Sequence, residues 1–172
     1  MALKSDFNEA RSMKDVKKQK ETLYQKIINA FITAAEDFIT NAREQAQSHE
    51  AGQYEDVTAN LRNSIGYYLY YNGKLVIGKE PGTYAGKVKE GKLSTGEIAS
   101  INKQAIQDVV KPTGFQMILI AGMNYASYVE SKGYNVISYQ ADVFMVDLAG
   151  YLENLDVIKE GTAARMEETF IP

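Results

Sequence analysis

The chain has 172 residues, 45% of them hydrophobic and 24% charged, which is the length and balance of one soluble globular domain with a real core. The absence of cysteine excludes a disulfide framework, a thiol nucleophile and every cysteine-ligated zinc or iron-sulfur site, and a single histidine, His49, excludes the two-histidine zinc motifs. A formal charge of −3 and a pI near 5.3 argue against a dedicated nucleic-acid binder, whose affinity needs a basic patch.

Residues 1–14 are polar and of mixed charge, and an N-terminal arm or a frayed helix start is expected there. They lack the apolar core of a signal peptide, and the longest apolar run, Met117 to Met123, is too short to span a bilayer. The expectation is a chain made in a cytoplasm, without membrane contact. From Val16 the period is helical. Val16, Leu23, Ile27, Phe31, Ala34, Phe38 and Ala42 recur at spacings of three, four or seven, predicting one amphipathic helix over 15–48. The Lys14 to Lys20 cluster on it reads as a solvated face, with DNA contact as the alternative. His49 falls at the frayed end of this helix and reads as solvated rather than catalytic.

A shorter helix is expected over 56–64, with Asp56 or Thr58 as N-cap. Tyr67 to Tyr71, Asn72-Gly73 and Lys74 to Gly78 then read as strand, type I′ turn and strand, because Asn-Gly accepts the positive φ angles of that turn. A two-residue turn sets Tyr71 opposite Lys74, Tyr70 opposite Leu75, Leu69 opposite Val76 and Tyr68 opposite Ile77. One face then carries Tyr68, Tyr70, Leu75 and Ile77 and is expected to lie on the long helix. The other carries Tyr67, Leu69, Tyr71, Lys74 and Val76 and is too apolar for water alone, so another element of the same chain or a second subunit must cover it.

Residues 79–93 form a glycine- and lysine-rich loop. Gly86, Gly91 and Lys92 have the Gly-x-x-x-x-Gly-Lys spacing of a phosphate cradle, but Leu93 stands where the motif needs Ser or Thr to hold magnesium, and a flexible charged loop is the reading kept. Ser94 and Glu97 form a capping box that opens a helix carrying Ile98, Ile101, Ala105, Ile106 and Val109, closed by Pro112. A third strand is expected over Phe115 to Ala121, a short helix over 124–132 ended by Gly133, a fourth strand over 135–140 and a last helix over 141–154. Residues 156–172 read as a C-terminal arm bearing Phe170 and Ile171. Carboxylate pairs do not make an active site: Asp142 and Asp147 point in different directions on one helix, and Glu167 and Glu168 lie in the arm. No catalytic residue, metal or cofactor is expected.

Two stretches stand apart, Val57-Thr58-Ala59-Asn60-Leu61-Arg62-Asn63-Ser64-Ile65 and Gly122-Met123-Asn124-Tyr125-Ala126-Ser127-Tyr128-Val129-Glu130-Ser131-Lys132-Gly133. Neither holds a nucleophile beside a base, a metal-ligand cluster or a phosphate cradle. With the long first helix and the hairpin after Ile65, they resemble in order the tail-completion proteins of tailed bacteriophages, also called neck or head-tail joining proteins. Two departures stand out. Thr58-Ala59 replaces a familiar Thr-Gly, and the 79–112 loop and helix is a longer insertion than that family carries.

The fold expected is α+β, a single domain over 15–155 in which the long N-terminal amphipathic helix packs on a small, mainly antiparallel sheet, with further short helices and a C-terminal arm. The resemblance implies a non-enzymatic virion subunit, assembled in the bacterial host cytoplasm. It would form a homo-oligomeric ring between portal or adaptor and tail proteins, through which DNA passes without sequence-specific binding. Alternatives are a small phage or bacterial enzyme with its site in the 79–112 region, and a DNA-binding accessory protein. Ring closure needs one patch on each side of the subunit. The candidates are Tyr67, Leu69 and Tyr71 on the second hairpin face, Tyr84 in the loop, Phe170 and Ile171 in the arm, and Arg62 and Glu130, which are expected to pair within a subunit or across a ring contact.

Overall fold

The computed structural model describes residues 9–45, 56–79 and 81–155 of the chain. Helix α1 runs Glu9–Gln45, beginning earlier than its apolar period, and at 1.5 Å per residue it is about 55 Å long. Only its C-terminal half carries the core stripe: Ala34, Ala35, Phe38, Ile39 and Ala42 are all buried. The alanines let neighbouring elements approach its backbone closely.

Strand β1 (Ile65–Tyr71) starts two residues before its expected first tyrosine and lies at the centre of a three-stranded antiparallel sheet. It is flanked by β2 (Lys74–Gly78) and β3 (Phe115–Ala121), the latter with its expected bounds. Asn72 and Gly73 take φ of 50° and 73°, the positive values that the type I′ turn demands. The Asn72 side chain also accepts the Gly114 N–H at 2.8 Å, while the Asn72 N–H donates to the Gly114 carbonyl at 2.9 Å, so the hairpin tip fixes the start of β3.

Both faces of the sheet are covered from within the chain, and the assignment of faces is the reverse of the expected one. Ile65 and Tyr67 pack with α1 and with Phe144 and Leu148 of α5 (Ser138–Glu153). At the far end of the same face Tyr71, Tyr24 and Phe115 form a ring cluster, with centroids 4.5–5.5 Å apart. The opposite face, with Tyr68, Tyr70, Ile118 and Ile120, packs on Ile106 of α3 (Thr95–Ile106). The inserted segment thus supplies the layer that shields the sheet's second side. Alternation alone could not choose between two faces of nearly equal apolarity, and the choice rests on where the insertion folds back.

The hairpin register also departs from simple pairing. Tyr70 faces Leu75 as expected, but a bulge follows and Leu69 faces Ile77 while Tyr68 faces Gly78. The bulge turns Ile77 toward the α1 side, where it joins the core. It also sets Gly78 under the Tyr68 ring, where an added Cβ would lie 2.6 Å from Cδ1, so glycine is the residue that fits.

The expected fourth strand is not formed, because residues from Ser138 onward belong to α5, which runs to Glu153. The cause is Glu130. Its Oε1 accepts the N–H groups of Val136, Ile137 and Ser138 at 2.8–3.1 Å, and its Oε2 accepts the Ser138 hydroxyl at 2.9 Å. These amides lie at a helix start and lack an intrahelical partner, so a carboxylate from α4 (Ala126–Ser131) caps α5 in place of a local side chain. The β-branched Val136-Ile137 pair suggested a strand. The capping acceptor, six to eight residues upstream, overrides it.

Helix α2 is shorter than expected, Asn60–Ser64, and is preceded by Ala59 at φ 62°, a left-handed conformation that costs an L-residue about 1–2 kcal/mol. Replacing Ala59 by glycine relieves that strain, but it forfeits a buried methyl worth about 0.8 kcal/mol and adds unfolded-state entropy. Ala59→Gly is therefore expected to unfold in urea within about 1 kcal/mol of wild type, whereas the β-branched Ala59→Val should lose about 2 kcal/mol or more.

Candidate assembly site

The two singled-out stretches meet in one buried cluster. Leu61 of α2 packs with Met123 and Ala126, with Ile98 of α3 and with Val136, and Val129 borders the group. Within α4 it is Ala126 and Val129 that turn inward, while Tyr128 faces solvent.

Every residue of α2 is buried, and the side chains of Asn60, Asn63 and Ser64 are hydrogen-bonded to backbone. Asn60 Nδ2 donates to the Gly91 carbonyl at 2.8 Å while its Oδ1 accepts the Leu93 N–H at 2.9 Å. Asn63 does the same to Tyr84, accepting its N–H at 2.8 Å and donating to its carbonyl at 3.0 Å. Two asparagines thus pair with the 81–93 loop as a strand would. Gly86 lies directly on the Thr58 backbone, with no room for a Cβ. The loop read from sequence as flexible is therefore docked, and the Leu93 amide that a phosphate cradle could have used is already donated.

Below this layer, Asp56 Oδ2 accepts the Arg62 N–H at 2.6 Å. Burial raises the Asp56 carboxyl above its ordinary value, against the pull of the Arg62, Leu61 and Ala59 amides. The Tyr125 phenol is likewise raised, first by burial and then by the Asp56 charge.

Arg62 and Tyr84 come together, since the guanidinium carbon stands 3.5 Å from the ring centroid in a cation–π contact. Arg43, which the sequence reading did not single out, approaches the same ring at 5.8 Å and donates to the Ile65 carbonyl at 2.7 Å. Burial lowers the Arg43 pKa. Within the chain no ion pair joins Arg62 and Glu130 among the described residues, and Glu130 is engaged by the α5 amides.

Tyr67 and Leu69 are core residues, 1% and 0% exposed, so neither can form a subunit contact. Tyr71 is half-buried in its ring cluster, whereas Tyr84 keeps 37% of its surface exposed. Phe170, Ile171 and His49 lie outside the described residues. Another cluster without a local sequence signal is Glu36, which accepts the Tyr67 hydroxyl at 2.7 Å and pairs with Lys79 at 2.7 Å. Burial raises the Glu36 carboxyl, but the hydrogen bonds from Lys79 and Tyr67 outweigh it and the net shift is downward. The same bond to a carboxylate, with burial foremost, pushes the Tyr67 phenol up. These partners are 31 and 43 residues apart in the chain, beyond the reach of any spacing rule.

The Glu130 carboxyl is raised by burial, but the Ile137, Ser138 and Val136 amides and the Ser138 hydroxyl lower it further, and the net shift is downward. A depressed carboxyl contributes stability that is fully present above its unfolded value and is lost as pH falls through the folded one. Urea midpoints from about pH 7 to about pH 3 should therefore show wild type ahead of Glu130→Gln at the upper end and converging with it at the lower. A constant gap would mean that the carboxylate's charge plays no part in capping α5.

Among the described residues no group of acidic, histidine or cysteine side chains is placed to hold a metal, and no helix is long and apolar enough to cross a membrane. Comparison with family models, with curated proteins and with solved structures finds no match to this chain.

Proposed function

We propose that the chain is a structural virion protein of a tailed phage, forming a ring in the neck between portal and tail as a head-tail connector or tail-completion subunit. The observation that carries this reading is the joining of the two family-like stretches into one unit, with Leu61 set against Met123 and Ala126. The left-handed Ala59 supports it, standing where that family has glycine. The α2 polar groups serve as scaffold, which fits a part whose task is to hold shape and present surfaces to neighbours.

Deleting the gene from the phage that encodes the chain should leave DNA-filled heads and finished tails that do not join, with joining restored by the chain supplied in trans. Normal joined, infectious particles without it would overturn the proposal. Steep salt-dependent binding of duplex DNA by the free protein would favour an accessory DNA-binding role instead.

A further inference from the structure

Residues 13–22 of α1 are exposed all round the helix, although Met13 and Val16 are apolar and sit one turn apart at 68% and 60% exposure. An isolated helical stretch of that length is marginal in water, so a projecting one gains from being covered. Lys14, Lys17, Lys18 and Lys20 outnumber Asp15 and Glu21 there, making this end of α1 a basic arm with an apolar seam.

Helix α5 offers the complement. Its Gln140, Phe144 and Leu148 stripe is buried, with Phe144 and Leu148 packed into the core that α1 shares, and its outer side carries Tyr139, Met145 and Val146 at 55%, 63% and 72% exposure. Asp142, Asp147 and Glu153 are its charged residues, and it has no lysine or arginine. Tyr139, Asp142, Val146, Ala149 and Glu153 follow at helical spacing along the outer side, so apolar and acidic groups share one face.

From this opposition of charge over matching apolar seams we infer that the α1 arm of one copy seats on the outer face of α5 of a second copy. The contact joins two different patches of the same chain and so propagates from subunit to subunit, as a ring requires. It rests on the neck assignment for its biological setting, and the contact itself forms between free chains.

Sedimentation of the purified full chain at rising concentration and low salt tests it. Wild type should form multimers that dissociate as salt rises. Lys17→Glu/Lys18→Glu and Asp142→Lys/Glu153→Lys should each weaken association by roughly tenfold or more, and an equal mixture of the two variants should recover it, because each arm then meets an α5 of opposite charge. A wild-type chain that stays monomeric, or multimers that survive in both variants, would overturn the contact. So would association that depends on residues 156–172 but not on these charges, or an arm whose lysines serve only to bind duplex DNA. A monomer found in virions would sink this contact and leave the neck assignment standing, whereas multimers of a chain missing from virions would do the reverse.

Discussion

Gly122→Ala should be among the most damaging single-methyl additions to this protein, lowering its stability by about 3 kcal/mol or more. Asn102 is wholly buried on α3 and donates through Nδ2 to the Ser64 carbonyl at 3.1 Å. A Cβ on Gly122 would fall inside the Asn102 side-chain amide, and the Asn102 Cα lies 3.2 Å from the same point, so rotating the side chain does not clear the space. Either α3 lifts from the sheet, loosening Ile98 and Ile106, or the hydrogen bond to Ser64 is lost in the interior. In a chain of this size such a loss lowers Tm by about 6–12 °C.

The mechanism is separable from a general intolerance of alanine. At Gly150 on α5 an added Cβ meets nothing within 4 Å, so Gly150→Ala should stabilise by about 0.5–1 kcal/mol through helix propensity. Asn102→Ala removes the clashing group, and a double-mutant cycle with Gly122→Ala should therefore show a favourable coupling of about 1–3 kcal/mol in urea unfolding. Additive losses would mean that Gly122 is required for some reason other than Asn102.

Leu61→Ala should cost about 2–5 kcal/mol. Leu61 is 1% exposed, and α2, α3, α4 and the segment before α5 converge on it through Ile98, Met123, Ala126 and Val136. These elements arrive from different parts of the chain, so the cavity cannot collapse by a small shift of one of them. Leu75→Ala is the control: this leucine is 55% exposed on β2 and should change stability by no more than about 0.5 kcal/mol. Hydrogen exchange would add a spatial readout, because Leu61→Ala should raise exchange in α3 and α4 before it does so in β1. Uniform acceleration across the chain would contradict the view that this cluster is what joins the two stretches.

Features specified by neighbours in the chain were legible in the sequence. The Asn72-Gly73 turn needs positive φ at two successive residues, and the residue types announce it. The Ser94 and Glu97 capping box closes over one helical turn and forms reciprocally as expected. The bounds of β3 and the helical period of α1 were likewise local.

What escaped depends on distant partners. The sheet has two apolar faces, and only the folded position of α3 decides which one meets α1. Glu130 converts an apparent strand into a helix start from outside the element it caps. Asn60, Asn63 and Asn102 read as ordinary polar residues, yet each is buried and holds backbone across 21 to 38 positions of sequence. Ala59 is a further case, since nothing in an alanine announces that it takes a φ of 62° before α2. The candidate site residues divide in the same way. Arg62 drew notice as the charged member of its stretch, whereas its ring partner Tyr84 lies in a loop whose docking no periodicity predicts.

The proposed neck assignment is tested most directly by imaging purified tailed-phage particles in which the chain is tagged or identified by mass. Under that assignment a ring of protomers stands at the junction of head and tail, each fitting the fold described above, with α1 of one copy against α5 of the next. Particles that are complete and joined but lack the chain would contradict it.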